Sequence, residues 1–300
     1  MIKLPSGVDI NYLIDDLKII GWEANKILLS YSKILKDSNF KSNILKNGNL
    51  DNPVTMADLK VNEVIIRSIN DNYKGVQWDI LSEENVKMSS EGSSNELDWN
   101  WVLDPLDGTK DFIQGTGNYA MHLALNYKKK PYLGVVLIPE KDELWIADGK
   151  KVWCEKRNGK KIHHNLNNNK SLQEMILVTS KNHRNETLEK LIKEIQFNKV
   201  ITMGSIGCKI ASIVRGDSDL YICLSLPGRS SPKDWDFASP EIILKTAGGA
   251  ITNIDGEELE YGKFNFEQGG IIVASSNKLM HKKVCSEIKK IIKDNNLYPL

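Results

Sequence analysis

Two carboxylates and a glycine-threonine pair follow one another at the end of an apolar run, Trp99–Leu103. Asp104 and Asp107 are separated by a Pro-Leu dipeptide, and Gly108 and Thr109 come directly after them. Carboxylates and a loop carbonyl hold hard divalent ions such as Mg²⁺. A glycine lets the backbone approach an anion closely, and the N–H groups at the start of a helix point toward that anion. The segment therefore predicts a joint site for divalent cations and a phosphate group.

More acidic residues accompany this segment elsewhere in the chain. Glu83 and Glu84 follow another apolar run, Asp58 lies in the first turn of a predicted helix, and Asp236 begins a further helix. Taken alone, Glu83-Glu84 is more typical of a charged loop, and Asp58 and Asp236 are more typical of helix caps; it is their joint occurrence that these interpretations do not explain. Histidine and cysteine are not found among them at metal-ligand spacing, so Mg²⁺ is favoured over zinc. Ions shared by these carboxylates would clamp a phosphate and activate a water molecule.

Length, charge and cysteine usage narrow the class of protein. The 300 residues allow a large core, and a net charge of +1 creates no field that attracts nucleic acid or an anionic membrane. The four cysteines form no Cys-x-x-Cys pair, which favours a reducing compartment, the cytoplasm. The N-terminus lacks the apolar stretch of a signal peptide, and no run approaches the about 18 apolar residues of a membrane span.

The first half of the chain predicts two helices and then a sheet. Apolar residues recur at helical spacing over 9–36, with Asp9 as the N-cap, and a second helix opens at Thr55–Asp58. Polar segments predict loops over 36–53 and 156–170. Alternating runs predict antiparallel strands at 76–81, 99–103, 119–125, 132–138, 143–147 and 152–155.

From about residue 174 onward, predicted strands and helices alternate, which indicates a partly parallel sheet covered by helices. The strands are predicted at 175–179, 200–203, 220–224, 250–254 and 270–274. The helices are predicted at 186–195, 205–214, 235–247 and 278–293. We expect an N-terminal α+β part, residues 1–172, that carries most of the metal ligands. We expect a C-terminal α/β part, residues 173–300, that carries Asp236 and the substrate-recognition residues.

The order of the acidic motifs resembles that of a known superfamily. Asp58 is followed by Glu83-Glu84, by Asp-Pro-Leu-Asp-Gly-Thr at 104–109 and by Trp235-Asp236. This pattern resembles the lithium-sensitive, magnesium-dependent phosphatases of the inositol monophosphatase superfamily, which also includes fructose bisphosphatases and 3′(2′),5′-bisphosphate nucleotidases. The similarity extends from the first helix to the last. It implies an α/β protein with a layered αβαβα sandwich.

The resemblance implies a role for each matching position. The metal ligands that it implies for two or three Mg²⁺ ions are Glu83, Asp104, the carbonyl of Leu106, Asp107 and Asp236. Asp58 and Thr109 would orient and deprotonate the attacking water, and the backbone N–H groups of Gly108 and Thr109 would bind phosphate oxygens. The implied reaction is in-line attack of metal-activated water on a phosphomonoester, without a covalent enzyme intermediate.

Three segments resemble the bisphosphate nucleotidase branch in particular: Gly108–Phe112, Thr179–His183 and Gly204–Lys209. In that branch such groups meet the second phosphate and the base of a nucleotide. Relatives often have an arginine where this chain has Cys223, and Arg229 is the candidate replacement. The substrate-binding residues that the resemblance implies are His183, Ser205, Lys209 and Arg229.

We therefore expect a cytoplasmic, lithium-sensitive phosphatase of sulfur metabolism. It would hydrolyse 3′-phosphoadenosine 5′-phosphate, that is adenosine 3′,5′-bisphosphate, to AMP and phosphate, with the 5′-phosphosulfate as a second candidate substrate. An inositol monophosphatase-like enzyme that acts on inositol or sugar phosphates is the alternative. A protein that only senses Mg²⁺ or phosphate would lack a ligand, and an EF-hand needs a different acid spacing. The expected partner is a small phosphate ester, without nucleic acid, and the expected assembly is a monomer or homodimer.

Overall fold

A computed structural model describes residues 2–36, 56–88, 97–162, 166, 169–182 and 184–299 of the chain. These residues form eight α-helices and two short 3₁₀ helices, at Pro139–Lys141 and Leu172–Glu174. The α-helices are Ile10–Lys36 (α1), Met56–Asn72 (α2), Glu83–Met88 (α3), Thr109–Gln114 (α4), Glu186–Ile195 (α5), Ile206–Arg215 (α6), Asp234–Ala247 (α7) and Lys278–Asp294 (α8).

Two sheets contain the twelve strands of the described chain. The first sheet has seven strands in sequential order: Asp79–Ser82 (β1), Trp99–Asp107 (β2), Ala120–Tyr127 (β3), Lys130–Ile138 (β4), Glu143–Ala147 (β5), Val152–Glu155 (β6) and Lys161–Ile162 (β7). The second has the order β11-β12-β10-β8-β9: Ile176–Ser180 (β8), Lys199–Met203 (β9), Leu220–Leu224 (β10), Ala250–Asn253 (β11) and Ile271–Ser275 (β12).

The direction of one edge strand differs from the prediction. The first sheet is antiparallel except at β1, which runs parallel to β2 with Asp79 opposite Asn100. The prediction of a wholly antiparallel sheet is wrong there, because β1 and β2 run in the same direction and α3 lies between them in the chain. In the second sheet, β8 runs parallel to β9 and β10, whereas β12 runs antiparallel to β10 and β11. The prediction of a partly parallel sheet is confirmed.

A short strand interrupts the loop that was predicted over 156–170. Lys161–Ile162 pairs with Glu155 and Cys154 of β6, so the loop prediction is wrong at these two residues. The connection is a tight hairpin in which Gly159 has a φ of 78°. An Asn-Gly dipeptide at 158–159 is a strong hairpin signal that the polar composition of the segment hides.

Helices and sheets alternate in five layers. One face of the first sheet packs on α1 and α2, and its other face packs on α6 and α7. Helices α6 and α7 also cover one face of the second sheet, and α5 and α8 cover its other face. Successive strand residues point to opposite faces, so Trp101 belongs to the outer core and Val102 to the central one. The predicted αβαβα order is confirmed, and the predicted division at residues 172 and 173 stays a prediction.

The first helix begins as predicted. Asp9 caps α1, and its Oδ1 accepts a hydrogen bond from the backbone N–H of Asn11 at 2.8 Å. The predicted Thr55 cap lies outside the described residues, as does all of the predicted loop at 36–53 except Lys36. Within the described ranges, no helix has both the length and the apolar character needed to cross a membrane.

The contact between the first sheet and α7 leaves no room for a side chain at Gly134 of β4. A Cβ atom at this position would collide with Ile242 Cγ2 and would lie 3.0 Å from the carbonyl oxygen of Ser239. The Ser239 hydroxyl donates a hydrogen bond of 2.7 Å to the carbonyl oxygen of Val135. Helix α7, which carries Asp236, is therefore packed directly on the backbone of β4.

Gly134→Ala is expected to lower the free energy of unfolding by about 1–3 kcal/mol, because the added methyl group overpacks this contact. Urea denaturation measures the change. Gly269→Ala is the matched control, since Gly269 is exposed and its added Cβ would lie 3.4 Å from Ser231 Oγ, an ordinary contact. Equal stability of the two variants would contradict the packing described for Gly134.

Candidate metal and phosphate site

Asp104 and Asp107 come from the end of β2, where the strand is irregular. In a regular strand, residues three apart point to opposite faces. The pairing of β2 with β3 shifts here, because Asp104 lies opposite His122 and Asp107 lies opposite Ala120. The backbone N–H of Leu106 donates a hydrogen bond of 3.0 Å to Asp104 Oδ1. This bulge-like irregularity turns both carboxylates toward the same side of the strand.

Asp236 completes a cluster of three carboxylates. Asp104, Asp107 and Asp236 each place one carboxylate oxygen within 4.8 Å of the others. Asp236 lies in the first turn of α7, and its Oδ2 accepts a hydrogen bond of 2.6 Å from the backbone N–H of Lys233. Converging carboxylate oxygens are the donors that hard divalent cations prefer, so this donor set fits Mg²⁺.

Burial and mutual repulsion disfavour the ionised forms of these acids. Burial, together with the charges of Glu83, Asp107 and Asp236, holds the pKa of Asp104 well above its usual range. Burial and the charges of Asp107 and Glu83 raise the pKa of Asp236 in the same way. Burial also raises the pKa of Glu83, although the Lys87 ammonium, 2.9 Å from Glu83 Oε1, opposes this shift. A divalent cation would remove the repulsion.

Glu83 and Asp58 lie beside the three-carboxylate cluster. Glu83 begins α3 directly after β1, the neighbour of β2, and its carboxyl interacts with that of Asp104. Asp58 lies in the first turn of α2, is 2% exposed, and its charge also acts on Asp104. The structure therefore brings together the five acids predicted from the sequence, namely Asp58, Glu83, Asp104, Asp107 and Asp236.

Gly108 and Thr109 continue from the acids into α4. The Thr109 hydroxyl donates a hydrogen bond of 3.0 Å to the carbonyl oxygen of Leu106. Gly108 has a φ of 85° in the left-handed region, and a Cβ atom there would lie 3.1 Å from the backbone nitrogen of Ser205. Glycine suits both this conformation and this close approach.

One oxygen of Asp107 is held by the N-terminus of α6. Asp107 Oδ2 accepts hydrogen bonds from Ser205 Oγ at 2.6 Å and from the N–H groups of Ile206 at 2.5 Å and Gly207 at 3.3 Å. These hydrogen bonds from the start of α6 fix the orientation of the Asp107 carboxyl group. These contacts engage Oδ2, whereas Oδ1 is the other carboxylate oxygen that Asp107 could offer to a cation.

Sequence analysis did not identify His122, which also contacts Asp107. His122 Nε2 lies 3.3 Å from Asp107 Oδ2, and Nδ1 lies 3.3 Å from the carbonyl oxygen of Trp235. The ring is fully buried in β3, and burial lowers its pKa. It links β3 and the start of α7 to the acidic cluster. A lone histidine inside an otherwise apolar strand was the available signal.

The residues predicted to bind substrate are divided between the interior and the surface. Ser205 is buried and caps α6, accepting a hydrogen bond of 3.1 Å from the Cys208 N–H. Lys209 is also buried, and its Nζ donates to the carbonyl oxygen of Gly204 at 2.7 Å. Arg229 is exposed in the loop between β10 and α7. His183 lies outside the described residues.

Comparison with known proteins gives matches over most of the chain. The model of the inositol monophosphatase family matches residues 15–293. The chain is 31% identical over 213 residues to the 3′(2′),5′-bisphosphate nucleotidase CysQ of Buchnera aphidicola, covering 70% of this chain and 74% of that protein. It is 27% identical over 255 residues to the fructose-1,6-bisphosphatase/inositol-1-monophosphatase of Thermotoga maritima, covering 84% and 88% respectively.

The solved structures include close matches to the fold. An IMPase from Thermotoga maritima has a TM-score of 0.73 at 22% sequence identity, covering 95% of this chain and 99% of that one. An inositol monophosphatase from Anabaena has a TM-score of 0.68 at 20% identity, covering 94% and 96% respectively. At this level of identity the similarity establishes the shared fold.

Asp104→Asn is expected to leave the metal-free protein at least as stable as the wild type at neutral pH, because it removes one of the repelling charges. Saturating MgCl₂ should raise the melting temperature of the wild type and leave that of the variant unchanged. A ligand at about 100 times its Kd stabilises a fold by about 2.7 kcal/mol. Because folding raises the pKa of Asp104, the metal-free wild type should also gain stability as the pH falls from about 7 to about 5. The variant should gain less.

Differential scanning fluorimetry measures these shifts. Asp234→Asn is the control, since Asp234 is a buried acid near Asp236 whose carboxylate accepts from the Gly262 N–H and from Gln268 Nε2, both at 2.7 Å. This variant should keep the response to Mg²⁺. A full Mg²⁺ response in Asp104→Asn would contradict the assignment of the cation site.

Proposed function

Because this chain belongs to the inositol monophosphatase family, we propose that it is a Mg²⁺-dependent phosphomonoesterase whose active site is the cluster of Asp104, Asp107 and Asp236. The family is one of phosphatases. The observation that carries the proposal is the convergence of three carboxylate oxygens within 4.8 Å of one another. One of the three acids, Asp107, is followed directly in the chain by Gly108 and Thr109. This arrangement offers a cation site and a phosphate site side by side.

The donor set supports Mg²⁺ as the cofactor. The proposed ligands for two or three ions all offer oxygen atoms, and they are Glu83, Asp104, the carbonyl of Leu106, Asp107 and Asp236. When bound, the ions supply the positive charge that activates water and neutralises charge developing on the phosphoryl group.

Asp58 and Thr109 are the proposed acid–base pair. The Leu106 backbone links Thr109 to Asp104. The Leu106 N–H donates to Asp104 Oδ1, and the Leu106 carbonyl accepts from the Thr109 hydroxyl, each at 3.0 Å. The buried Asp58 carboxylate, in α2, lies close enough for its charge to raise the pKa of Asp104. We assign to Thr109 the orientation of the attacking water and to Asp58 the acceptance of its proton. The backbone N–H groups of Gly108 and Thr109 would hold phosphate oxygens.

For the substrate, we propose 3′-phosphoadenosine 5′-phosphate, which would be hydrolysed to AMP and phosphate, with the 5′-phosphosulfate as a second candidate. The similarity to the Buchnera bisphosphate nucleotidase supports this choice. The exposed Arg229, and His183 in the segment after β8, are the proposed contacts to the second phosphate and the base. The similarity to the Thermotoga fructose-1,6-bisphosphatase/inositol-1-monophosphatase favours a second function, the hydrolysis of inositol or sugar phosphates.

The state of the cysteines agrees with the proposed location of the enzyme. All four cysteines are free thiols. Free thiols are ordinary in a reducing compartment. We therefore propose that the enzyme is cytoplasmic. We also propose that it acts on a small phosphate ester and that it is a monomer or homodimer.

Phosphate release from three substrates tests the proposed activity. These are 3′-phosphoadenosine 5′-phosphate, inositol 1-phosphate and fructose 1,6-bisphosphate, assayed with Mg²⁺ and each with and without Li⁺. The nucleotide is expected to have a kcat/KM at least about tenfold higher, which corresponds to about 1.4 kcal/mol. AMP is the control, since it lacks the phosphate to be removed. Preference for inositol 1-phosphate would establish the second function, and no Mg²⁺-dependent release from any substrate would refute the phosphatase proposal.

Thr109→Ala is expected to lower kcat by about 100-fold or more, the range typical of a lost general acid–base contribution. KM should change by no more than about threefold, because the hydroxyl acts on the attacking water and not on substrate binding. Steady-state kinetics with the preferred substrate measure both values. Thr109→Ser, which keeps the hydroxyl, should retain most of the activity. A change confined to KM would show that Thr109 binds substrate instead.

A further inference from the structure

Lys209 is a fully buried lysine next to the candidate site. It lies in α6, one turn after the cap residue Ser205, and is 1% exposed. Its Nζ donates a hydrogen bond of 2.7 Å to the carbonyl oxygen of Gly204 and lies 5.2 Å from the centre of the Tyr221 ring. Lysine is rarely buried completely unless its ammonium has partners. These contacts direct the ammonium into the protein and away from the surface.

Gly204 is enclosed on its other side by Asp111 of α4. A Cβ atom at residue 204 would collide with Asp111 Oδ2. Asp111 cannot move aside easily, because its two oxygens accept hydrogen bonds from Thr116 Oγ1 at 2.6 Å and from Asn182 Nδ2 at 2.7 Å. The Gly204 residue therefore lies in a slot between a buried lysine and a buried carboxylate.

The turn that follows Gly204 leads directly to Asp107. The Ser205 N–H donates to the carbonyl oxygen of Asn118 at 3.1 Å, and the Ser205 hydroxyl and the Ile206 N–H both donate to Asp107 Oδ2. The Gly204 carbonyl is half-buried, and losing the Lys209 donor would leave it without this hydrogen bond and free to shift toward another partner. Such a shift would move the donors that orient Asp107.

We propose that Lys209 is a positioning residue, which fixes the Gly204–Ser205 turn from inside the protein and thereby orients Asp107. This role differs from the direct substrate contact that the family resemblance implies for Lys209. It rests on the proposed function, because it matters to the reaction only if Asp107 holds the cation there. Since every phosphate ester would use the same cation site, Lys209 should affect substrates with one and two phosphates equally.

Lys209→Met tests this role by replacing the ammonium with an apolar group on a chain of similar length. Loss of a residue that orients a metal ligand lowers metal affinity or activity by about 10- to 100-fold. We expect a loss of kcat in that range for 3′-phosphoadenosine 5′-phosphate and, by the same factor, for inositol 1-phosphate. Calorimetric titration with MgCl₂ should show a parallel loss of Mg²⁺ affinity. Lys190→Met, on the exposed face of α5, is the control and should match the wild type in both measurements.

Lys209→Gln provides the second variant, because it keeps a hydrogen-bond donor for the Gly204 carbonyl on a shorter, uncharged side chain. It should fold even where Lys209→Met does not, and circular dichroism checks both. Its loss of Mg²⁺ affinity should be smaller than that of Lys209→Met. Its loss of kcat should also be smaller and should again be equal for the two substrates.

Two outcomes would overturn the proposal. A rise in KM confined to the bisphosphate substrate, with Mg²⁺ affinity intact, would mean that Lys209 contacts the second phosphate. Unchanged kinetics and Mg²⁺ affinity in both variants would mean that the turn is fixed without Lys209. If the wild type itself releases no phosphate from any substrate, the proposed function fails, whereas the Mg²⁺ titrations still decide the role of Lys209.

Discussion

Repulsion between carboxylates that are shielded from water is the constraint around which this structure is arranged. Asp104 is buried within reach of the charges of Glu83, Asp107 and Asp236, and both burial and these charges oppose its ionisation. Side chains that repel one another stay together only when rigid elements hold them from outside. Here a strand irregularity, a helix N-terminus and the first turn of another helix do so. These elements hold the carboxylates in the arrangement that we propose for cation binding.

The central helical layer transmits this constraint to the rest of the fold. Helix α6 holds Asp107 at its N-terminus, and at its other end Arg215 forms an ion pair of 2.7 Å with the buried Glu143 of β5. Helix α7 carries Asp236, and Ser239 on the same helix is bonded to the backbone of β4. Both helices pack against both sheets. The positions of Asp107 and Asp236 therefore depend on how the two sheets dock onto this shared helical layer.

Local features of the chain were predictable from the sequence, whereas contacts across the fold were not. Helix α5 has the predicted bounds, because Asn185 caps its start and its apolar face is clear. The acids of β2 were recognisable because they belong to one contiguous motif, residues 104–109. The direction of β1 was missed, since apolar alternation carries no information on strand direction. The bond from Ser205 to Asp107 spans 98 residues, and the burial of Lys209 arises because α6 is enclosed between two sheets. Neither leaves a mark in the local pattern.

The distribution of the carboxylates along the chain has a consequence for how the molecule holds together. Glu83 begins α3 and Asp104 lies in β2, whereas Asp236 belongs to α7, which comes much later in the chain, after β10 of the second sheet. In the proposed site, a cation held by Asp104 and Asp236 would link two distant segments of the native chain and would stabilise the native state by mass action. Unlike a disulfide, this link would open whenever the ion leaves. If the proposed site is correct, the stability of the native fold will depend on the free Mg²⁺ concentration around the protein.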